Sequence, residues 1–181
     1  LVLVTLVLRR YQARITALAT TDSLTELPNR RGFELLANQA IQEARRGQST
    51  LCALLFDLDG FKQLNDSHGH LAGDAVLRGF ARHLQENLRQ SDIICRWGGE
   101  EFILLLKDTP LDAARQLGEK IRQQTETSAF TFAEQTLHIS TSIGLATLQE
   151  GEDLQALIAR ADRALYRAKQ AGRNRMCEES Q

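Results

Sequence analysis

Acidic residues stand at the ends of two apolar segments, where an unpaired charge would be costly. Asp57 and Asp59 close the run LCALLFDLD (51–59), which is almost wholly apolar, as expected of a buried central strand. Glu100 stands directly before EFILLLK (101–107), which we expect to form a neighbouring strand. Carboxylate oxygens gathered in this way suit Mg²⁺. Because such hard metal ions usually hold nucleotide phosphates, the layout predicts phosphoryl or nucleotidyl transfer.

Two glycines precede the glutamates in RWGGEEF (96–102). We expect Gly98 and Gly99 to form a two-residue hairpin link with positive φ. Since glycine has no side chain, a ligand could approach the backbone there. Side chains alternate along a strand, so only one of Glu100 and Glu101 can be directed at a given site.

Structural roles would also account for these residues. Asp57 and Asp59 could cap strands, or they could form ion pairs with Lys62 and Arg96. A Gly-Gly hairpin flanked by exposed carboxylates is an ordinary surface feature. From the residues alone, both alternatives stay open.

The apolar pattern predicts the elements that must position these groups. FKQLNDSHGHLAGD (61–74) is interpreted as a loop or short helix above the end of the first strand. Hairpins mixed with helices indicate an α+β fold, with helices flanking a largely antiparallel central sheet. Helices are predicted at 33–47, from Gly73 or Asp74 to Leu88, at 111–124 and at 152–172, and strands at 51–59, 92–97, 101–107 and twice within 130–147.

Composition bounds the class of protein. The chain has 181 residues, enough for one domain with an appendage. With 22 basic and 23 acidic residues the formal charge is −1, so there is no overall basic field for nucleic acid, and any anion site must be local. Cys52 and Cys95 lie in apolar runs and lack metal-ligand spacing, which favours buried thiols in a reducing, cytosolic setting.

The first residues predict a helix ahead of the globular domain. LVLVTLVL (1–8) is far shorter than the ~20 apolar residues that span a bilayer, but Arg9 and Arg10 follow it, as at the cytosolic end of a membrane helix. Apolar spacing by three and four from Leu1 to Leu18 equally fits a coiled coil, and a helix packed on its own domain is a third alternative. The start at Leu rather than Met indicates a fragment, and we expect a cytoplasmic domain, anchored upstream in an inner membrane if the first alternative holds.

The motifs of the chain resemble those of the GGDEF-domain diguanylate cyclases, the bacterial family that condenses two GTP into cyclic di-GMP and two pyrophosphates. The matching segments, in the family's order, are DSLTELPNRRGF (22–33), FDLDGFKQLNDSHGHLAGD (56–74), RWGGEEF (96–102), STSIGLA (140–146) and ADRALYRAKQAGRNR (161–175). Each is weak alone, but the ordered set is specific. The resemblance implies a nucleotide-cyclase, ferredoxin-like fold, with a signalling helix at 1–20 and a GGDEF catalytic domain at 21–181 that works as a homodimer.

The resemblance also implies roles for individual residues. Asp57 and Glu100 would bind two Mg²⁺ (or Mn²⁺) with the carbonyl of Leu58, and Glu101 is the candidate for helping to deprotonate the 3′-hydroxyl. Asp59 is given no role. The substrate-binding residues would be Asn65 and Asp74 for guanine, Gly98 and Gly99 for room around the triphosphate, and Lys62, Lys169 and Arg173 for its phosphates.

A last motif implies control by the product. RQSD (89–92) falls where the family keeps its inhibitory site, so Arg89 and Asp92 would bind cyclic di-GMP. Lys120 stands where the family often has a second arginine, and its point charge should hold the ligand more loosely. The alternative for Arg89 and Asp92 is a helix-end salt bridge of little energetic value.

Two other functions remain to be separated from the cyclase. One is a catalytically silent module that binds GTP or cyclic di-GMP and signals to partners. The other is a different two-metal nucleotidyl transferase, such as a mononucleotide cyclase. Because the glycines and acids of the signature are intact, the active cyclase is preferred.

Overall fold

Five helices and seven strands make up residues 30–178 of the computed structural model, which describes residues 19–179 of the chain. The helices are α1 (Arg30–Gly47), α2 (Phe61–His68), α3 (His70–Glu86), α4 (Leu111–Thr127) and α5 (Leu154–Gln170). The strands are β1 (Leu51–Asp59), β2 (Ile93–Gly98), β3 (Glu101–Lys107), β4 (Phe130–Phe132), β5 (Gln135–Leu137), β6 (Ser140–Thr147) and β7 (Met176–Glu178). The predictions for the N-terminal helix fall almost wholly outside the described residues. Of the described helices, none has the length and apolar character needed to cross a bilayer.

The central sheet has the order β2-β3-β1-β6-β7, which confirms the predicted α+β architecture. β1 pairs antiparallel with both β3 and β6, and β2 pairs antiparallel with β3. Among the described strands, the parallel exception is β7, which joins β6 at the edge of the sheet. β4 and β5 form a separate two-stranded sheet. The acids at the end of β1 therefore lie in the middle of the sheet, between two neighbouring strands.

Successive side chains of β1 enter two different cores. Leu54 and Phe56 pack with residues of α3 and α4, whereas Ala53 and Leu55 pack with residues of α1 and α5. Each large apolar side chain buried in this way stabilises the fold by about 1.5–3 kcal/mol. A one-residue slip of β1 would exchange the two faces, so the two cores together fix where Asp57 lies.

Gly144 sets the distance between α5 and the sheet. It lies on β6 opposite Leu55 of β1. A Cβ atom at Gly144 would come within 2.0 Å of the Ala161 carbonyl oxygen and 2.4 Å of the Leu165 amide nitrogen. The absence of a side chain there lets the backbone of α5 pack directly on the strand.

The segment after β1 differs in part from the prediction. It contains the short helix α2, as one alternative allowed, but α3 begins at His70, so the predicted start at Gly73 or Asp74 is wrong. Gly69, with φ of 85°, turns the chain between the two helices. Asp74, one of the two predicted start positions, consequently lies inside α3.

β7 was not predicted from the sequence. It has three residues, too few for an alternating pattern to be recognised. Its pairing with β6 continues that of the residue before it, since the Ile143 amide donates to the Arg175 carbonyl at 2.9 Å. The segment between α5 and β7 is thereby held at both ends.

Candidate active site

The Gly-Gly hairpin carries the first candidate metal ligand. Gly99 has φ of 47°, but Gly98 is the last residue of β2 and is not in the left-handed region, so positive φ at both glycines was a wrong prediction. The pairing of β2 with β3 shifts register between Arg96 and Gly98. Glu100 lies in the turn itself, and β3 begins at Glu101. A Cβ atom on either glycine would have no described atom within 4 Å, so the space over the hairpin is open to a ligand.

The end of β1 brings the candidate acids together. Asp57 and Glu101 are directly opposite partners on β1 and β3, so their side chains share one face of the sheet. The Leu58 amide donates to the Glu100 carbonyl at 3.4 Å, which places Glu100 beside Leu58. Asp57 is only 7% exposed. Asp57, Glu100 and Glu101 thus meet at one end of the sheet. The prediction that only one of the two glutamates can be directed at the site is wrong, because Glu100 lies in the turn and not on the strand.

Burial and like charges act together on these acids. Burial raises the pKa of Asp57, and the charges of Glu100 and Asp59 raise it further, against the lowering effect of Lys169. Burial also raises the pKa of Glu101, and the charge of Asp57 adds to this. A buried site that disfavours its own carboxylate charges will bind a cation favourably.

Lys169 supplies that positive charge. Its Nζ lies 2.6 Å from Asp57 Oδ2. The alternative pairing of Asp57 with Lys62 or Arg96 is therefore wrong: Arg96 pairs with Asp22, and Lys62 is an exposed residue of α2. The predicted phosphate ligand Lys169 is thus brought to the acids.

The donor set fits a metal ion shared with a nucleotide. Within residues 19–179, no three His, Cys, Asp or Glu side chains are grouped closely enough to hold a metal ion unaided. Asp57, Glu100 and the Leu58 carbonyl offer hard oxygen donors but fewer than the six that Mg²⁺ requires. Mg²⁺ commonly completes its shell with water and substrate phosphates, so an incomplete set beside an open hairpin suits it.

Asp59 has a structural role. Its Oδ1 accepts a hydrogen bond from the Ser142 hydroxyl at 2.7 Å, and its Oδ2 accepts from the Ser140 hydroxyl at 2.7 Å and from the backbone N–H of Asn174 at 3.0 Å. These three donors satisfy the carboxylate without a metal ion. Through its contact with Asn174, Asp59 instead binds the segment after α5 to the end of β1.

The segment after α5 is a turn with three successive positive φ angles, at Gly172 (113°), Arg173 (62°) and Asn174 (46°). The Asn174 side chain accepts from Arg122 Nη1 at 2.6 Å and donates to Glu126 Oε1 at 2.7 Å, both residues of α4. These contacts hold two non-glycine residues in a conformation that costs free energy. The turn carries the predicted phosphate ligand Arg173. Sequence reasoning gave Asn174 no role.

Asn65 and Asp74 are brought together by the packing of α2 against α3. A Cβ atom at Gly73 would come 1.9 Å from Asn65 Oδ1, so the Asn65 side chain lies against the α3 backbone one residue before Asp74. Asn65 Oδ1 is buried without a hydrogen-bond partner among the described residues. Such an atom costs about 1–3 kcal/mol, which a ligand donor would recover. The pair therefore fits a base that presents N–H groups.

Arg89 and Asp92 form a turn rather than an ion pair. The Arg89 amide donates to Asp92 Oδ2 at 3.0 Å, and the Asp92 amide donates to the Arg89 carbonyl at 3.1 Å. Between residues 19 and 179, no ion pair involves the Arg89 guanidinium, so the helix-end salt bridge was a wrong alternative. Asp92 Oδ1 is buried without a partner in the same part of the chain.

Lys120 lies on the helix that packs beside this turn. Asn87 Nδ2, two residues before Arg89, donates to Gln124 Oε1 of α4 at 2.8 Å. Lys120 is exposed one helical turn before Gln124, on the same side of α4. Lys120 therefore lies on the face of α4 that contacts the end of α3, just before Arg89 in the sequence.

Comparisons with known proteins agree with the motifs. A family model described as "Diguanylate cyclase, GGDEF domain" matches residues 19–175. Diguanylate cyclase DgcP of Pseudomonas aeruginosa is 44% identical over 158 residues, which are 87% of this chain and 24% of that protein. The chain thus spans about a quarter of that relative's length.

Solved structures agree as well. The coiled coil and GGDEF domain of DgcB from Caulobacter crescentus, in complex with c-di-GMP, has a TM-score of 0.90 and 32% identity, with 94% of this chain and 91% of that chain covered. The active GGEEF domain of a Vibrio cholerae diguanylate cyclase has a TM-score of 0.80 and 38% identity, with coverage of 84% and 97%. The predicted fold is therefore confirmed. Diguanylate cyclases of this family depend on a metal ion. The chain belongs to the GGDEF-domain family of diguanylate cyclases.

Proposed function

We propose that this domain condenses two GTP molecules into cyclic di-GMP and two pyrophosphates. The observation that carries the proposal is the convergence of Asp57, Leu58 and Glu100 beside the open Gly-Gly hairpin. The 44% identity to DgcP and the fold shared with the active GGEEF domain support it. We expect the domain to act in the cytoplasm, and a membrane anchor ahead of it stays a prediction.

Asp57, Glu100 and the Leu58 carbonyl would hold Mg²⁺ or Mn²⁺, whose positive charge offsets charge developing on the phosphates. Lys169 and Arg173 would contact the phosphates as well, as would Lys62, which is exposed on α2. These cations act by position and charge, which is what phosphoryl-group chemistry chiefly requires of a protein.

Glu101 is suited to receive a proton. The 3′-oxygen of one GTP attacks the α-phosphorus of the other, and the bond to pyrophosphate breaks while the hydroxyl proton leaves. Burial raises the pKa of Glu101, and a base is most effective when its pKa approaches the working pH. Glu101 shares a face with Asp57, so it stands next to the residue that would bind the metal.

Two subunits must cooperate in this reaction. Each site holds one GTP, so the two must face each other for each 3′-hydroxyl to reach the partner's α-phosphorus. We propose a homodimer, in which residues 1–18 raise the local concentration of the second domain. Specific activity should fall on dilution, and more steeply after deletion of 1–18. Activity that does not change with dilution would contradict the dimer.

The product would bind its own enzyme at a second site. Among the described residues, the Arg89 guanidinium forms no ion pair and the buried Asp92 Oδ1 has no hydrogen-bond partner, which suits the phosphate and guanine edges of cyclic di-GMP. Lys120 adds a point charge from α4. DgcB and its c-di-GMP complex show that a protein with this fold binds that ligand.

The test of the proposed function is product identity. The purified chain is incubated with GTP and Mg²⁺, and the nucleotides are separated and identified by mass spectrometry. We expect cyclic di-GMP and pyrophosphate in a ratio of 1:2, and Glu100→Ala should abolish both because it removes a charged metal ligand. Glu150→Ala, in an exposed turn, is the matched control and should be as active as the parent.

Other results would point elsewhere. A cyclic mononucleotide would indicate a different nucleotidyl transferase, and tight GTP binding without turnover would indicate the silent module. Full activity of Glu100→Ala would overturn the metal assignment.

A further inference from the structure

The Lys169 ammonium lies against the carboxylate that the proposed metal ion would bind. Its Nζ is 2.6 Å from Asp57 Oδ2, with the Asp57 side chain 10% exposed and that of Lys169 34% exposed. Lys169 lies in the last turn of α5, and the packing of that helix against Gly144 holds its backbone close to the sheet. The fold therefore places the backbone of Lys169 within reach of Asp57.

The surrounding acids need this positive charge. Asp57 faces the charges of Glu100 and Asp59, and Glu101 stands opposite it on β3. The Lys169 ammonium, 2.6 Å from Asp57 Oδ2, places a positive charge against this group of acids. Asp59 is satisfied by hydroxyl and amide donors, which carry no charge. Without a metal ion, Lys169 is thus the counter-ion of the cluster.

A metal ion and the ammonium cannot both hold this oxygen closely. Two cations within hydrogen-bond distance of one oxygen repel each other strongly in a partly buried site. A metal ion that takes Asp57 Oδ2 would therefore displace Lys169. The lysine stem is flexible, so the displaced ammonium can turn to another anion nearby.

We propose that the Lys169 ammonium occupies Asp57 in place of the metal ion. When the metal ion binds, the ammonium leaves Asp57 and moves to the nucleotide phosphates. The second half of this proposal rests on the proposed function, whereas the first half can be measured without any nucleotide. The exchange couples the two ligands, because phosphates that hold the ammonium make Asp57 available to the metal. Metal ion alone should bind weakly, and metal and GTP should each strengthen the other's binding.

Lys62 provides a matched comparison. It is also a predicted phosphate ligand, but it is exposed, and in the described part of the chain no ion pair joins it to an acid. Removing its charge should weaken nucleotide binding without affecting metal bound to the free protein. Substitution of Lys169 and substitution of Lys62 should thus both weaken nucleotide binding, whereas only the substitution of Lys169 should change metal binding to the free protein.

The experiment is a calorimetric titration of the full chain with Mn²⁺ at pH 8 in the absence of nucleotide. Lys169→Met should bind Mn²⁺ about fivefold or more tightly than the parent, the lower range of typical couplings between sites. Lys62→Met should match the parent. Both variants should bind a non-hydrolysable GTP analogue more weakly, and the gain in analogue affinity that Mn²⁺ produces should be smaller for Lys169→Met.

Parent-like or weaker Mn²⁺ binding by folded Lys169→Met would overturn the proposal. Unchanged affinity for the GTP analogue in that variant would overturn the transfer to phosphate. If Lys169→Met does not fold, NMR of the parent with ¹³C-labelled lysine decides: Mg²⁺ alone should shift the Lys169 ε-carbon signal and leave that of Lys62 in place. No shift would contradict the exchange. None of these results depends on whether the parent makes cyclic di-GMP, which tests the proposed function separately.

Discussion

Arg96 donates hydrogen bonds through Nη1 to both carboxylate oxygens of Asp22, each at 3.2 Å. Through Nε and Nη2 the same guanidinium donates to the Gly99 carbonyl at 3.0 and 2.9 Å. Asp22 is held in turn by the amide and hydroxyl of Thr25 at 2.9 and 2.7 Å. A residue that precedes α1 therefore helps to fix the hairpin that carries Glu100.

The first prediction concerns this contact. Asp22→Asn keeps the shape of the side chain but removes the charge, so Arg96 should hold the hairpin less firmly. We expect kcat to fall about 10- to 100-fold, because small displacements of catalytic groups cost this much, and stability to fall by about 1.5 kcal/mol. Steady-state kinetics and urea unfolding measure the two effects.

Asp112→Asn is the control for this prediction. Asp112 also pairs with an arginine, Arg115, but its side chain is 82% exposed on α4. An exposed pair contributes little, so this variant should be close to the parent in both measurements. An equal loss of activity in the two variants would contradict the role given to Asp22.

The same contact should make stability depend on pH. Burial raises the pKa of Asp22, but the hydrogen bonds from Thr25 and the contact with Arg96 outweigh burial and lower it below its ordinary value of 3.8. A pKa lowered by folding adds stability that is complete above the unfolded value and is lost as pH falls through the folded value. The stability difference between parent and Asp22→Asn should therefore be constant near neutral pH and shrink below 3.8. A difference that grows towards acid pH would contradict the assignment.

The turn after α5 gives the next prediction. Asn174→Ala removes the contacts with Arg122 and Glu126. If the turn acts by positioning Arg173, KM for GTP should rise, and the double variant with Arg173→Ala should bind GTP no worse than Arg173→Ala alone. Asn174→Gly, which tolerates positive φ, separates loss of the side-chain contacts from backbone strain. Additive losses would show that Asn174 acts independently of Arg173.

Guanine selection should depend on the pair between α2 and α3. Asn65 Oδ1 has no protein partner among the described residues, so a guanine donor satisfies it and adenine, with a different pattern of donors, does not. We expect ATP to be a poor substrate of the parent, and Asp74→Asn to lower kcat/KM for GTP far more than for ATP. Comparable turnover of GTP and ATP by the parent would contradict this pocket.

Product inhibition should respond to the kind of cation on α4. Arg89→Ala should keep the initial rate and abolish the slowing of progress curves as cyclic di-GMP accumulates. Lys120→Arg should strengthen the slowing, because a planar guanidinium can bind in a bidentate manner where an ammonium cannot. Equal inhibition of parent and Arg89→Ala by added cyclic di-GMP would contradict the site.

Local patterns predicted the elements, whereas contacts between distant residues were missed. The run at β1 and the hairpin signal of RWGGEEF indicated where Asp57 and Glu100 would lie, because periodicity and turn chemistry act over a few residues. The Asp22–Arg96 pair joins positions 74 apart, and Asp59 meets Asn174 across 115. No short pattern in the sequence encodes such pairs.

Two smaller errors have local physical reasons. The helix was expected to begin at Gly73 or Asp74, because aspartate often begins helices, but the turn at Gly69 starts α3 about one turn earlier. Gly98 looked like half of a symmetrical turn, but the register shift in β2 leaves positive φ to Gly99. The positive φ belongs to Gly69 in the first case and to Gly99 in the second.

The close packing at Gly144 also sets the spacing between α5 and β6 next to the candidate active site. A lysine stem has a limited maximum reach, so a wider gap between α5 and β6 would move the Lys169 ammonium away from the Asp57 carboxylate. One added methyl group at position 144 would act as a spacer between backbone layers, since it would meet the Ala161 carbonyl at 2.0 Å. The location of the Lys169 ammonium at this end of the sheet thus depends on Gly144, which lies beneath α5 and has no side chain of its own.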